Sequence, residues 1–294
     1  MILRVSKVQK SYGKEKVLKN ISFEIQEPKI VALIGPNGSG KSTLLSIITN
    51  LIQADRGDVE VFGESNRNPH MFKQISFMQD NTVLYDYLTG YDHLQFIGDA
   101  QGIAKKDLLK TAERIGITDY LHKKVKQYSL GMKQHLLLAL AIVNQPKLLI
   151  LDEPLNGLDP TSAIRVRNLL LDLAEKGTTI LLSSHNLGEI DRVTSHILFL
   201  KDGELLEENL SDYQQTAFEI ETNQPDHLKE IARNYGFKTG GSKGERVAII
   251  LNGKSVSEFF EMLSKENMDI RDMEKKVFGS EERYQRLFNR EPLL

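Results

Sequence analysis

Gly35, Gly40, Lys41 and Ser42, within "GPNGSGKST", follow the spacing G-x-x-x-x-G-K-[ST]. A glycine-rich turn of this kind lets successive backbone N–H groups approach phosphate oxygens, and the helix after it adds its positive N-terminal end. Pro36, Asn37, Gly38 and Ser39 complete the loop. Lys41 is then the residue to reach β- and γ-phosphates, Ser42 a ligand for Mg²⁺, and Thr43 a partner for the α-phosphate. The apolar run "IVALI" before the loop reads as a buried strand, and "LLSIITNLI" after it has helical spacing.

Three further apolar runs end in polar groups. "KLLILDEP" delivers Asp152 and Glu153 to the carboxyl end of a strand, where open α/β sheets bind ligands. Successive strand residues point oppositely, so the two carboxylates should have different jobs. Asp152 suits the metal's outer ligand sphere; Glu153 suits a general base or the residue that orients an attacking water. Alone, this pair also fits a solvated loop or a helix cap, and the phosphate loop is what favours the chemical reading. "TTILLSSH" ends at His185 and "QISFMQ" at Gln79. Surface or capping roles fit both, and so do contacts of His185 with a γ-phosphate and of Gln79 with the metal or its water.

These strands need helices to cover them. In "LDPTSAIRVRNLLLDLAEKG", Asp159 reads as N-cap, Pro160 as first turn and Gly177 as stop, with Ala163, Val166, Leu170 and Leu173 as one apolar stripe. Such a helix returns the chain through a right-handed crossover onto a parallel sheet. "YSLGMKQ", Tyr128 to Gln134, opens a long apolar run, with Ser129 placed to cap it and Gly131 to permit close backbone approach.

At 294 residues, one large and one smaller domain are expected. A formal charge of -2 provides no broad basic surface for nucleic acid, and the lack of cysteine excludes disulfides and thiol chemistry. The N-terminal "MILRVSKVQKSYG" meets charge too early for a secretory signal and reads as a first strand. The longest apolar run, "LLLALAIV", falls short of the roughly 18 to 20 residues that span a bilayer.

The set resembles the nucleotide-binding subunit of ATP-binding cassette (ABC) transporters, over residues 1 to about 210. "GPNGSGKST" is similar to its Walker A loop, "LLILDE" to its Walker B strand, "NGLD" at Asn156 to Asp159 to its D-loop, His185 to the switch histidine and Gln79 to the Q-loop glutamine. Tyr12 in "SYG" matches the aromatic that stacks on adenine, and "YSLGMKQ" takes the place of the signature usually written LSGGQ. Ser129 and Gly131 are kept. Tyr128, Leu130 and Met132 depart from the pattern, as do His135, where many relatives have arginine, and Pro28 with Lys29, where a glycine commonly precedes the Walker strand.

The resemblance implies a P-loop NTPase core with a helical subdomain at about 80–140. It also implies ATP and Mg²⁺ as cofactors, with Ser42, Gln79 and Asp152 toward the metal. Two cassettes would sandwich two nucleotides, as a homodimer or pseudo-dimer, each nucleotide lying between one chain's Walker A loop and the signature Ser129 and Gly131 of the other, with Asp159 as a further nucleotide-binding candidate. A separate integral-membrane permease would hold the chain on the cytoplasmic face of a membrane, with Tyr85, Tyr87 and Leu88 as candidate contacts. From about Ser211 the pattern changes to a small α/β accessory domain, 211–294, read as strand, helix, strand, helix and then strand to helix, with "GGSKGE" as a turn. The combination is similar to bacterial exporter ATPases of the bacitracin and lantibiotic resistance kind. Export of a drug, peptide antibiotic or lipid is the first expectation. A soluble ABC ATPase acting on a macromolecular assembly is the alternative, and a P-loop kinase a third.

Overall fold

The computed structural model describes residues 1–210, 216–277 and 280–288. The chain divides into two compact units, Met1–Glu208 and Asn209–Leu294.

The first unit opens with two long strands, β1 (Leu3–Tyr12) and β2 (Glu15–Ile25), then β3 (Ile30–Ile34) and helix α1 (Lys41–Ile48). After β4 (Arg56–Val61), β5 (Glu64–Ser65) and β6 (Ile75–Met78) the chain turns helical: α2 (Gly90–Gln101), α3 (Lys105–Ile115) and α4 (Leu130–Ile142). It closes with β7 (Leu148–Leu151), α5 (Pro160–Glu175), β8 (Thr179–Ser184), the short α6 (Leu187–Ile190), β9 (His196–Lys201) and β10 (Glu204–Asn209).

Two sheets form. An antiparallel sheet runs β2-β1-β4-β5, and a six-stranded sheet runs β10-β9-β3-β8-β7-β6. Strands β3, β7 and β8 are buried along their whole length, as expected of parallel strands with both faces covered. Side chains of both sheets and of α1, among them Leu3, Ile21, Leu33, Leu44, Leu148 and Leu181, form one apolar core.

Helix ends follow their residue types. Thr89 and Asp92 make a reciprocal capping box at the start of α2, and Gly102 ends it with φ 72°. Asp159 caps α5 with Pro160 in its first turn. Helix α4 is apolar on most sides and largely buried, which is the condition for a helix lodged inside a domain.

The second unit contains β11 (Thr216–Glu221), α7 (Pro225–Asn234), β12 (Lys238–Lys243), β13 (Arg246–Ile250), α8 (Val256–Lys265), β14 (Asp272–Val277) and α9 (Ser280–Phe288). Its antiparallel sheet has the order β12-β13-β11-β14, the split βαβ arrangement of ferredoxin-like folds. Phe218 of the sheet stacks on Phe259 of α8 at 4.4 Å between ring centroids, at the centre of its core. The expected strand, helix, strand, helix and final strand to helix are present as β11, α7, β13, α8, β14 and α9, but "GGSKGE" is not simply a turn. Its first four residues, Gly240 to Lys243, belong to β12, and the turn is confined to Gly244 and Glu245. Two adjacent glycines mask the strand in the sequence. It lies at the sheet edge, and its register with β13 shifts between Thr239 and Ser242, where an irregularity tolerates glycine.

Candidate nucleotide site

Parallel pairing aligns the strand ends that carry the candidate residues. Ile34 pairs with Ser184, Leu182 with Leu151, and Leu151 with Met78. The next residues along these strands bring the glycine loop, His185, Asp152 and Gln79 to one edge of one sheet, where an open α/β sheet binds its ligand.

The loop needs its glycines for separate reasons. Gly40 precedes α1 at φ 101°, and a β-carbon there would sit 2.8 Å from Val17 Cγ1. A β-carbon on Gly35 would meet the Leu200 carbonyl oxygen at 2.5 Å and Ser39 Oγ at 2.6 Å. Lys41 is 7% exposed, and its ammonium donates to the carbonyl oxygens of Gly35 at 2.8 Å and Pro36 at 3.2 Å. An ammonium has three N–H donors, so one remains for a phosphate oxygen. Ser39 Oγ is buried without a partner among the described residues, which suits a loop built to take a hydrogen-bonding guest. Pro36, Asn37, Gly38 and Ser42 are exposed, and Thr43 is half-buried.

The two adjacent carboxylates have different partners, but not through the strand alternation expected from the sequence, because β7 ends at Leu151 and both lie in the turn after it. Asp152 Oδ1 accepts a short hydrogen bond from Ser183 Oγ, and Ser183 Oγ accepts in turn from the Glu153 N–H at 3.0 Å. Glu153 leaves the extended conformation for φ 50°, in the left-handed region. Its Oε2 lies 2.8 Å from His185 Nδ1 and also accepts from the His185 N–H at 3.3 Å. An ionised carboxylate only accepts, so Nδ1 is the donor in this contact. Glu153 and His185 thus form a contacting pair, which their separate positions in the sequence do not foretell.

Gln79 is half-buried and lines an apolar cleft of about 490 Å³. Phe72, Tyr85, Phe96 and Leu137 form part of its walls, and Phe96 is 72% exposed. Tyr85 and Tyr87 are both exposed, with ring centroids 5.7 Å apart, and Leu88 is half-buried. Tyr12 stands exposed at the end of β1, in the other sheet, with the Lys10 ammonium 5.6 Å from its ring centre.

Ser129 caps α4, accepting from the Met132 N–H at 3.2 Å. No hydrogen bond joins Ser129 or Gly131 to the glycine loop among the described residues. A β-carbon on Gly131 would meet only Leu158 Cδ2 at 3.7 Å and the Gly157 carbonyl oxygen at 3.8 Å, ordinary contacts. This chain's own packing therefore does not require glycine there. Gly157 is different, since it has φ 73° and its β-carbon would fall 2.3 Å from Leu130 Cδ2. Asp159 gives both carboxylate oxygens to its helix cap, with Oδ1 accepting from the Thr161 and Ser162 N–H groups and Oδ2 from Ser162 Oγ. Those bonds, the Ser162 hydroxyl first, hold its carboxyl below the usual range. Asp159 Oδ2 keeps one acceptor site beyond that cap for a further donor.

His135 lies buried in α4, and burial together with Arg165 pushes its pKa down. A neutral imidazole thus occupies the position for which the resemblance leads one to expect a fixed cation. Burial also raises the Tyr120 and Tyr128 hydroxyls beside it to about 12, so this cluster carries no charge near neutral pH.

A glycine loop opening a helix, an acidic pair at the end of the parallel strand two places away, and a histidine on the strand between them define a P-loop nucleotide-hydrolysing cassette. The family model described as "ABC transporter" matches residues 18–156. The chain is 35% identical over 223 residues to the lantibiotic transport ATP-binding protein SrtF of Streptococcus pyogenes, covering 76% of this chain and 97% of that one. It is 37% identical over 216 residues to the bacitracin transport ATP-binding protein BcrA of Enterococcus faecalis, covering 72% and 70%. A solved dimeric cassette, MJ0796 in a post-hydrolysis state with ADP and Pi, matches with a TM-score of 0.64 and 27% identity, over 71% of this chain and 99% of that one.

The chain belongs to the ATP-binding subunits of ABC transporters. It binds ATP and is an ATPase of that family. No helix among the described residues is long and apolar enough to cross a membrane.

Proposed function

We propose that this chain hydrolyses Mg²⁺ATP in a two-fold pair of cassettes and drives export of a peptide antibiotic, drug or lipid through a separate permease. The observation that carries the transport reading is the apolar cleft beside Gln79. Exposed aromatic side chains around a groove are what a protein partner docks into, and Gln79 joins that groove to the sheet edge with Asp152 and Glu153. An amphipathic cytoplasmic helix of the permease fits the cleft, with Tyr85, Tyr87 and Leu88 at its margin. The peptide-antibiotic class rests on the names of the similar proteins SrtF and BcrA.

Within each site, Lys41 and the loop N–H groups hold the β- and γ-phosphates, Thr43 the α-phosphate, and Tyr12 the adenine face. The donor set fits Mg²⁺. Among the described residues no cluster of three His, Cys, Asp or Glu forms a closed cage, and Mg²⁺ prefers a few hard oxygens plus nucleotide phosphates. Ser42, Gln79 and Asp152 would supply those oxygens, and an ion held there would supply charge stabilisation at the phosphates. Glu153 orients the attacking water and takes its proton, while His185 holds the Glu153 carboxylate through Nδ1–H; its contact with the γ-phosphate uses the ring with Nε2 protonated as well, because phosphate oxygens only accept.

Ser129 and Gly131 serve the partner cassette's nucleotide, which accounts for a glycine that this chain's own packing leaves free. Ser129→Arg is expected to remove ATP-dependent dimerisation, read by size exclusion in the Glu153→Gln background, while leaving ATP affinity of the single chain within about twofold. Persistence of the dimer would remove the trans role.

The transport reading is tested by capture from membranes in which the full chain and its candidate permease are co-expressed. The expected result is co-purification, lost by at least about tenfold with Phe96→Asp while basal ATPase is kept, because a charge in an apolar docking pocket leaves a buried ion unpaired. Equal capture by the variant would rule out the cleft as the docking site.

A further inference from the structure

We propose that Ser183 and Gln134, two buried residues with no role in the assignment above, are positioning residues for the catalytic carboxylate. This inference rests on Glu153 acting as the base. Glu153 is held at φ 50°, a conformation that costs a non-glycine residue on the order of 1 kcal/mol or more and persists only where neighbours impose it. The neighbours are specific. The N–H donates to Ser183 Oγ at 3.0 Å, and the carbonyl oxygen accepts from Gln134 Nε2 at 2.9 Å. The peptide groups on both sides of the Glu153 side chain are therefore fixed by side chains from two different elements, β8 and α4.

The chemistry of each clamp is set by donor counting. Ser183 is fully buried and has one hydroxyl hydrogen, which it gives to Asp152 Oδ1; it can then only accept, and the Glu153 N–H donates to one of its two lone pairs. One hydroxyl thus fixes the relative placement of the metal-side carboxylate and the base. Gln134 is 8% exposed, and its amide donates across to the Walker B turn. That turn is closed by the Asn156 N–H donating to the same Glu153 carbonyl oxygen at 3.1 Å.

Gln134 follows Ser129 on the same helix, whose Leu130 packs against Gly157 and whose Gly131 faces Leu158. The helix that reads the partner's nucleotide is thereby tied at three points to the loop that aims this chain's own base. A shift of α4 on dimer closure moves the Glu153 carbonyl oxygen with it, and that gives each site a mechanical report of whether the other is filled.

The test is steady-state ATPase of the full chain with Gln134→Met, which keeps length and volume but removes the donor, and with Ser183→Ala and Ser183→Thr. Misplacement of a base by about 1 Å costs on the order of a hundredfold in rate. Gln134→Met and Ser183→Ala are expected to lower kcat by roughly 10- to 100-fold with KM for ATP within about twofold. Ser183→Thr, which keeps the hydroxyl, restores kcat to within about threefold of the parent. On the residual turnover of Glu153→Gln, followed with radiolabelled ATP, adding Gln134→Met is expected to change the rate by less than about twofold, because a clamp on an absent base has nothing left to position.

The proposal is overturned if Gln134→Met keeps the parent kcat, if its loss appears in KM instead, or if the loss persists in full on the Glu153→Gln background. Should Glu153→Gln itself retain turnover, the base assignment fails and the clamp with it. Loss in Glu153→Gln with a fully active Gln134→Met sinks the clamp alone. Thermal melting checks that each variant folds, and Gln134→Leu, equally unable to donate, replaces Gln134→Met if that chain does not.

Discussion

Glu153→Gln is expected to lower ATP turnover by about two to four orders of magnitude, the range that a positioned general base contributes. The substitution keeps the side chain's volume and its capacity to accept from His185 Nδ1, the 2.8 Å contact that fixes its direction. The left-handed backbone at residue 153 and the Ser183 and Gln134 bonds to its peptide groups are unaffected by the change of one side-chain atom. Only the ability to take a proton from water is removed. ATP affinity should therefore stay within about threefold of the parent, and ATP-bound chains should accumulate as dimers, because the step that reopens them is blocked. Phosphate release under saturating ATP and size exclusion with and without ATP measure the two halves of this expectation. Unchanged turnover would show that water activation lies elsewhere, with His185 as the next group to examine.

The parts of the fold legible in the sequence are those where one physical signal dominates. "IVALI", "LLIL" and "TILLSS" read as buried strands because a parallel sheet covered on both faces tolerates apolar residues at every position, and these strands are buried throughout. Helix α5 is marked by Asp159, Pro160 and the stripe at Ala163, Val166, Leu170 and Leu173, of which the last three are buried and Ala163 half-buried. Strand β12 is hidden because Gly240 and Gly241 outweigh its edge pairing, which is a tertiary fact. The pairing of β1 with both β2 and β4 is hidden for the same reason, since long-range register leaves no local signature.

Within the site, the sequence supplies the residues that end strands but not the bonds between strands. Ser183 sits inside an apolar run and looks like a tolerated small residue. Its hydroxyl has value only because parallel register sets Leu151 beside Leu182, so that Asp152 and Glu153 arrive next to it. Gln134 sits among the buried residues of α4, where a polar side chain needs a partner. That demand is readable in the sequence; the identity of the partner, the Glu153 carbonyl oxygen, is not. His135 shows the reverse case. The sequence marks a departure from arginine, and the structure supplies the consequence, a buried neutral ring near Arg165 instead of a second cation.

Lys41→Ala is expected to weaken ATP binding on the order of a hundredfold. The reasoning begins with what the ammonium does inside its own loop. It is nearly buried and donates to the Gly35 and Pro36 carbonyl oxygens, so it neutralises two inward-facing dipoles at the place where the chain must accept further negative charge. A hydrogen bond to a charged group contributes about 1.5 to 3 kcal/mol, and about 1.4 kcal/mol is a factor of ten in affinity. Alanine loses the phosphate contact and leaves the two loop carbonyls without that donor, and both changes act in the same direction. The loss should therefore be larger for ATP than for ADP, and smallest for AMP, because the lysine serves the β- and γ-phosphates. Lys41→Arg separates charge from shape: its planar guanidinium keeps the charge but cannot place a compact donor between Gly35 and Pro36, so it is expected to recover less than about a tenth of the lost affinity. Calorimetric titration with ATP, ADP and AMP measures this series. Equal losses for all three nucleotides would place the lysine's effect in the loop's fold, and retained parent affinity for ATP would remove the glycine loop as the phosphate site.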